Sequence, residues 1–249
     1  RVELDLLLQR SSSQDSVITV VKEIISHVRS RGDAAVVEHT SRLDKFEVPN
    51  IGFLEVPLSE RKYAFKNLSS KLRWSLEEAA RRIRTFHEHQ KESSWEYTDE
   101  LGNILGQVLT PLERIGVYVP GGKAAYPSSV LMSVIPARIA GVSEIVMVVP
   151  TPCDEANDIV MAASYLVDVD RVFRIGGAQA IAAFAFGTET VSKVDKIVGP
   201  GNEYVALAKK EVFGEAGIDM FAGPSEVTII ADKYSNPDWV AADLIAQAE

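Results

Sequence analysis

Residues 171–182 read R-V-F-R-I-G-G-A-Q-A-I-A, a short apolar strand, a glycine pair, then the opening of an alanine-rich helix. Glycine at such a junction lets the backbone turn tightly and lets its N–H groups approach a ligand closely. The same unit recurs on either side. From Glu113 onward we expect strands at Ile115–Val119, Glu144–Val149, Arg171–Ile175, Lys196–Val198 and Val227–Ala231. The loops after four of them carry P-G-G, T-P-C-D, G-G-A-Q and G-P-G-N. Strands alternating with helices predict an α/β fold with a parallel sheet and right-handed crossovers. In such sheets ligands sit at the carboxyl ends of the strands, where these loops lie.

Upstream of this region the pattern is helical. Val17, Val20, Val21, Ile24, Ile25 and Val28 recur at three- and four-residue spacing after a cap region at Ser11–Ser13. Gly32 ends that helix and Asp33 is expected to cap a second one through Leu43, so Arg31-Gly32-Asp33 reads as helix punctuation rather than an adhesion motif. A short strand at Ile51–Val56 and a charged amphipathic helix from about Ser70 to Lys91 follow. Trp95–Thr98 and Ile104–Leu109 flank a turn at Asp99–Asn103 and predict a β-hairpin.

With 249 residues the chain is long enough for one large or two modest domains, and 46% hydrophobic with 24% charged residues is ordinary for a globular protein. A net charge of −9 and a pI near 5.1 argue against a nucleic-acid or anionic-membrane surface. No apolar run approaches a membrane span. The single cysteine, Cys153, fits a reducing compartment. The chain opens on Arg1 rather than Met, so we expect its natural N-terminus to lie upstream.

Three loops, Gly121-Gly122, Gly176-Gly177 and Gly199-Pro200-Gly201, each join a strand to a helix on one expected sheet edge. Together they point to a dinucleotide or phosphate site, although no G-x-G-x-x-G fingerprint is present. His27, His39, His87 and His89 form no metal-ligand spacing and are expected on helix flanks or the surface. Acidic neighbours at Asp154 and Glu155 disfavour a thiolate at Cys153, and no G-x-S-x-G elbow supports serine hydrolase chemistry. Tyr118, Gln179 and Asn202 stand at strand ends or loops, where their residue types alone favour a packed aromatic, a loop-stabilising amide and a helix cap.

The stretches I-G-V-Y-V-P-G-G (115–122), R-I-G-G-A-Q-A-I-A (174–182), V-D-K-I-V-G-P-G-N (194–202) and A-G-P-S-E (222–226) resemble the histidinol dehydrogenase family. So does the whole segment from Ile218 to Glu249. The resemblance runs from about residue 14 to the end. It implies two incomplete Rossmann-like domains of aldehyde dehydrogenase-like architecture, with residues 118–224 forming one and residues 1–117 with 225–249 part of the other. It further implies an NAD- and zinc-dependent homodimer that oxidises L-histidinol through histidinal to L-histidine. Tyr118, Gln179 and Asn202 match NAD-contacting positions, Ser225 and Gln247 match substrate contacts, and Gln247 also matches a zinc ligand. In the family the residue after Glu249 is a zinc-binding His, and the Glu-His pair of proton transfer lies further on. The chain as given is therefore expected not to turn over histidinol. The compartment implied is the cytoplasm, or the plastid stroma in a plant. A related zinc- and NAD-dependent dehydrogenase of another small alcohol, and a non-catalytic NAD-binding module, are the other readings.

Overall fold

Strands buried on both faces need apolar side chains at every position, and that is what the runs ending in the Gly/Pro loops provide. A computed structural model describes residues 11–121, 125–221 and 227–247, with side chains described from Ser16 to Ala246 within those stretches. Helices α1 (Ser11–Arg31) and α2 (Asp33–Asp44) are followed by a 3₁₀ turn at Ile51–Leu54, α3 (Leu58–Asn67) and α4 (Ser70–Glu88). The hairpin β1 (Trp95–Thr98) and β2 (Ile104–Gln107) comes next. The alternating part comprises β3 (Arg114–Tyr118), α5 (Pro127–Ala140), β4 (Glu144–Val148), α6 (Asp158–Leu166) and β5 (Arg171–Phe173). It continues through α7 (Gly177–Phe186), β6 (Lys196–Val198), α8 (Glu203–Val212) and β7 (Gly217–Ile218), before α9 (Pro237–Gln247).

The five-stranded sheet is parallel throughout, in the order β5-β4-β3-β6-β7. The alternation of side chains along each strand sorts the interior into two cores. Val146, Val148, Phe173 and Tyr118 face α1, α2, α7 and α8. Ile145, Met147, Val149, Ile115 and Val117 face α3, α4, α5 and α6. Each core thus draws on residues from before and after position 118. Alanine makes α7 slim enough to be buried all round, and eight of its residues, Ala178 to Ala185, are inaccessible. Its Phe184 ring lies against Gly116 of β3, where an added Cβ would come within 2.5 Å of the ring.

Several local expectations change. Residues 227–231 are irregular rather than a strand, with Ile230 97% exposed, and the fifth place in the sheet belongs to the two-residue β7. A run of β-formers becomes a strand only where an edge accepts it, and β6 is already paired by Gly217 and Ile218. Residues 51–54 wind into a 3₁₀ turn, after which Val56 N–H donates to Val172 O and Leu54 O accepts from Arg174 N–H, covering the β5 edge. Asp33 is not the cap of α2. Gly32 holds that position, and the Asp33 carboxylate instead accepts from Thr190 N–H at 3.2 Å and its hydroxyl at 2.6 Å. Nor is His39 a surface residue. It is 1% exposed, stacked on His27 with ring centroids 5.5 Å apart, and beside the Arg42 guanidinium at 3.1 Å. Burial, with the Arg42 charge, depresses its pKa. The side chains of the expected cap region, Ser11–Ser13, lie outside the described residues.

Candidate functional site

The strand order runs outward from β3 in both directions, first to β4 and β5, then to β6 and β7, which makes β3/β6 a topological switch point. At the carboxyl ends of these strands lies a cleft of about 390 Å³. Tyr118, Pro120 and Gly121 line it from β3, Pro150 and Pro152 from the loop after β4, and Gly177, Ala178 and Gln179 from the start of α7. Asn202 and Tyr204 come from the start of α8, while Val20, Ile24, Leu43 and Asp44 close the far wall from α1 and α2.

Close backbone packing sets the floor. Pro150 is wedged between Gly121 and Gly176, and a Cβ on either glycine would collide with it. Gly199 sits at φ 111 with its Cα against the Tyr118 carbonyl, a conformation and an approach that a side chain would prevent. The loop it begins is clipped from behind. Asp219 accepts from Gly199 N–H at 2.8 Å, while the buried Lys209 ammonium donates to Gly199 O at 3.1 Å and to the same Asp219 carboxylate. On the rim, Cys153 is exposed at φ 57 in the turn Pro152–Asp154, next to the lining residue Pro152.

Tyr118 is 3% exposed, and its hydroxyl accepts from Gly177 N–H at 3.1 Å. Burial, aided by the Asp44 charge, pushes its phenol up to about 12, so the group stays protonated and keeps a proton to donate. Asn202 caps α8, accepting from Val205 N–H at 3.1 Å. These are the packed aromatic and the helix cap, and both also face the cleft. Gln179 is different. It is fully buried, and among the described residues neither Oε1 nor Nε2 has a partner. A primary amide closed off from water and bonded to nothing costs about 1–3 kcal/mol per group, so its presence calls for a ligand or water. Asp44 repeats the pattern: its Oδ2 is buried without a partner, and burial pushes its pKa up to about 6.

Sequence reasoning did not single out Asp44, nor the Lys209–Asp219 clip, because nothing in their local patterns marks them. Ser225 lies outside the described residues, as does the Gln247 side chain; the Gln247 backbone is the last residue of α9. Among the described residues no three His, Cys, Asp or Glu side chains gather as a metal site. No described helix is long and apolar enough to cross a membrane.

A doubly covered parallel sheet with a mainly apolar cleft at its switch point defines a doubly wound α/β protein of the Rossmann-like class. The model of the histidinol dehydrogenase family matches residues 7–249, and the chain belongs to that family. It is 57% identical to a histidinol dehydrogenase of Pseudomonas aeruginosa and 55% identical to one of Cupriavidus pinatubonensis, in each case over 98% of this chain and 56% of the relative. The crystal structure of histidinol dehydrogenase from Elizabethkingia anophelis superposes with a TM-score of 0.82 at 36% identity, covering 95% of this chain and 57% of that one. The chain thus spans a little over half the length of the relatives it matches.

Proposed function

We propose that this chain supplies the NAD cleft and one edge of the zinc and substrate site of an NAD-dependent L-histidinol dehydrogenase. The reaction is the four-electron oxidation of L-histidinol via histidinal to L-histidine, catalysed by a cytoplasmic homodimer. The observation that carries the reading is the convergence of Tyr118, Gln179 and Asn202 on the one cleft at the β3/β6 switch point, with the Gln179 amide unpartnered. A dinucleotide offers what that amide lacks, hydroxyl donors and phosphate or carboxamide acceptors, while the prolines and the α1–α2 wall offer apolar surface to its rings.

In this reading residues 118–224 form the NAD-binding unit, and residues 1–117 with 225–249 belong to the other unit, which lends α1 and α2 to the cleft wall. Ser225 and Gln247 contact the substrate. Gln247 offers zinc a single amide oxygen, short of the roughly four donors the metal takes, so the other donors come from outside the described residues. Zinc, when bound, orients the substrate's nitrogen groups, which suit it as ligands.

Titration of the chain with NAD tests the cleft: Gln179→Ala weakens binding about tenfold, the worth of one to two hydrogen bonds. Histidinol-dependent NADH formation by the polypeptide carrying this chain tests the reaction. A polypeptide that oxidises other small alcohols and ignores histidinol sinks the substrate assignment.

A further inference from the structure

The cleft holds one formal charge among its described lining residues, Asp44, and no other described lining residue carries a charge to neutralise it. Among the described residues no Lys, Arg or His pairs with it, and burial alone accounts for the upward displacement of its pKa. Its Oδ2 is closed to water and has no hydrogen-bond donor among the described residues. The carboxyl group turns on a broad two-fold torsion, so either oxygen can be presented to the cleft. Beside it stand Val20, Ile24 and Leu43, an apolar wall from two helices. A carboxylate without a described partner, next to an apolar wall, suits a flat heterocycle carrying a sugar: the ring lies on the wall and vicinal hydroxyls donate to the acid. Two such charge-assisted bonds are stronger than neutral ones, and they fill the vacancy at Oδ2.

We propose that Asp44 reads the adenosine ribose of the bound dinucleotide, accepting from its 2′- and 3′-hydroxyls, and thereby excludes a 2′-phosphorylated dinucleotide. The assignment rests on the dinucleotide reading above. In other doubly wound proteins an acidic residue beyond the glycine loop plays the same chemical part. Here the acid comes from a different place, the carboxyl end of α2 on the opposite wall. A 2′-phosphate brings two negative charges and no proton to donate at neutral pH, so Asp44 repels it.

Calorimetric titrations of NAD, NADP and ADP-ribose into wild type, Asp44→Ser, Asp44→Asn and Gln179→Ala test this. Wild type is expected to prefer NAD over NADP by about tenfold or more, and Asp44→Ser to lose about tenfold in affinity for NAD and ADP-ribose alike. The NAD-to-NADP preference of Asp44→Ser falls to roughly threefold or less, with Asp44→Asn between the two. A measurement on wild type alone needs no variant to fold: 2′-deoxyadenosine NAD binds about tenfold more weakly than NAD. An unchanged preference in Asp44→Ser overturns the assignment, as does equal affinity of wild type for NAD and its 2′-deoxyadenosine analogue. No dinucleotide binding by wild type, or binding indifferent to Gln179→Ala, removes the dinucleotide reading itself and this one with it.

Discussion

The Tyr118 hydroxyl takes the Gly177 N–H at 3.1 Å, tying the end of β3 to the first residue of α7. Phenylalanine fills the same space but leaves that N–H without a partner, so Tyr118→Phe should cost about 1–2 kcal/mol in urea unfolding and weaken NAD binding in parallel. Asp44 pulls stability and binding in opposite directions. Its pKa rises from 3.8 to about 6 on folding, so across that window the folded chain keeps a proton that the unfolded chain has released. Stability from this group is therefore full below the window and falls as pH rises through it. Asp44→Asn removes the fall: thermal melts should show a gain on the order of 1 kcal/mol at pH 8, once screening at its exposed edge is discounted, and none at pH 3.5. Equal shifts at both pH values would refute the account. The positions of Tyr118, Gln179 and Asn202 were legible because strand ends and helix starts are written in local patterns. Asp44 was not, since its lack of a partner arises only when α2 folds over the strand ends.

The strands, loops and helices from Ile115 to Val212 follow the apolar runs and glycine stops closely, because both sheet faces are buried and tolerate nothing else. Elements held by distant partners were harder to read. β7 is two residues long and exists through its pairing with β6, while 227–231 has strand composition and no strand to pair with. The Lys209–Asp219 clip is likewise non-local, joining α8 to the chain after β7 behind the Gly199 loop. Lys209→Met strands a partly buried carboxylate and frees the Gly199 carbonyl. We expect a loss of about 2–4 kcal/mol by chemical denaturation, with weaker NAD binding through Asn202. At β3, Gly116→Ala pushes a methyl into the Phe184 ring and should destabilise by about 1–3 kcal/mol, partly restored by Phe184→Leu in the double variant.

Across the whole molecule, burial is uneven. The two cores on either face of the sheet are closed to solvent, yet Trp74, Trp95 and Trp239 are 66%, 53% and 74% exposed. None of the described α9 side chains is buried: Leu244 is 48% and Ile245 72% exposed. Apolar surface of that extent is ordinarily an interaction face. The relatives it matches are longer, this chain spanning 56% of the Pseudomonas aeruginosa protein, and we expect the additional length they carry to pack on such faces. The chain's tryptophan emission should be red-shifted and open to acrylamide quenching, and blue-shifted in a polypeptide of its relatives' full length. Identical spectra for the two would argue that these faces stay bare. The turn at Pro152–Asp154 has one more use: it carries the molecule's single thiol, exposed and one residue from the cleft lining. A maleimide fluorophore can therefore be attached at one defined address without altering a codon, turning the rim of the cleft into an optical gauge of its occupancy.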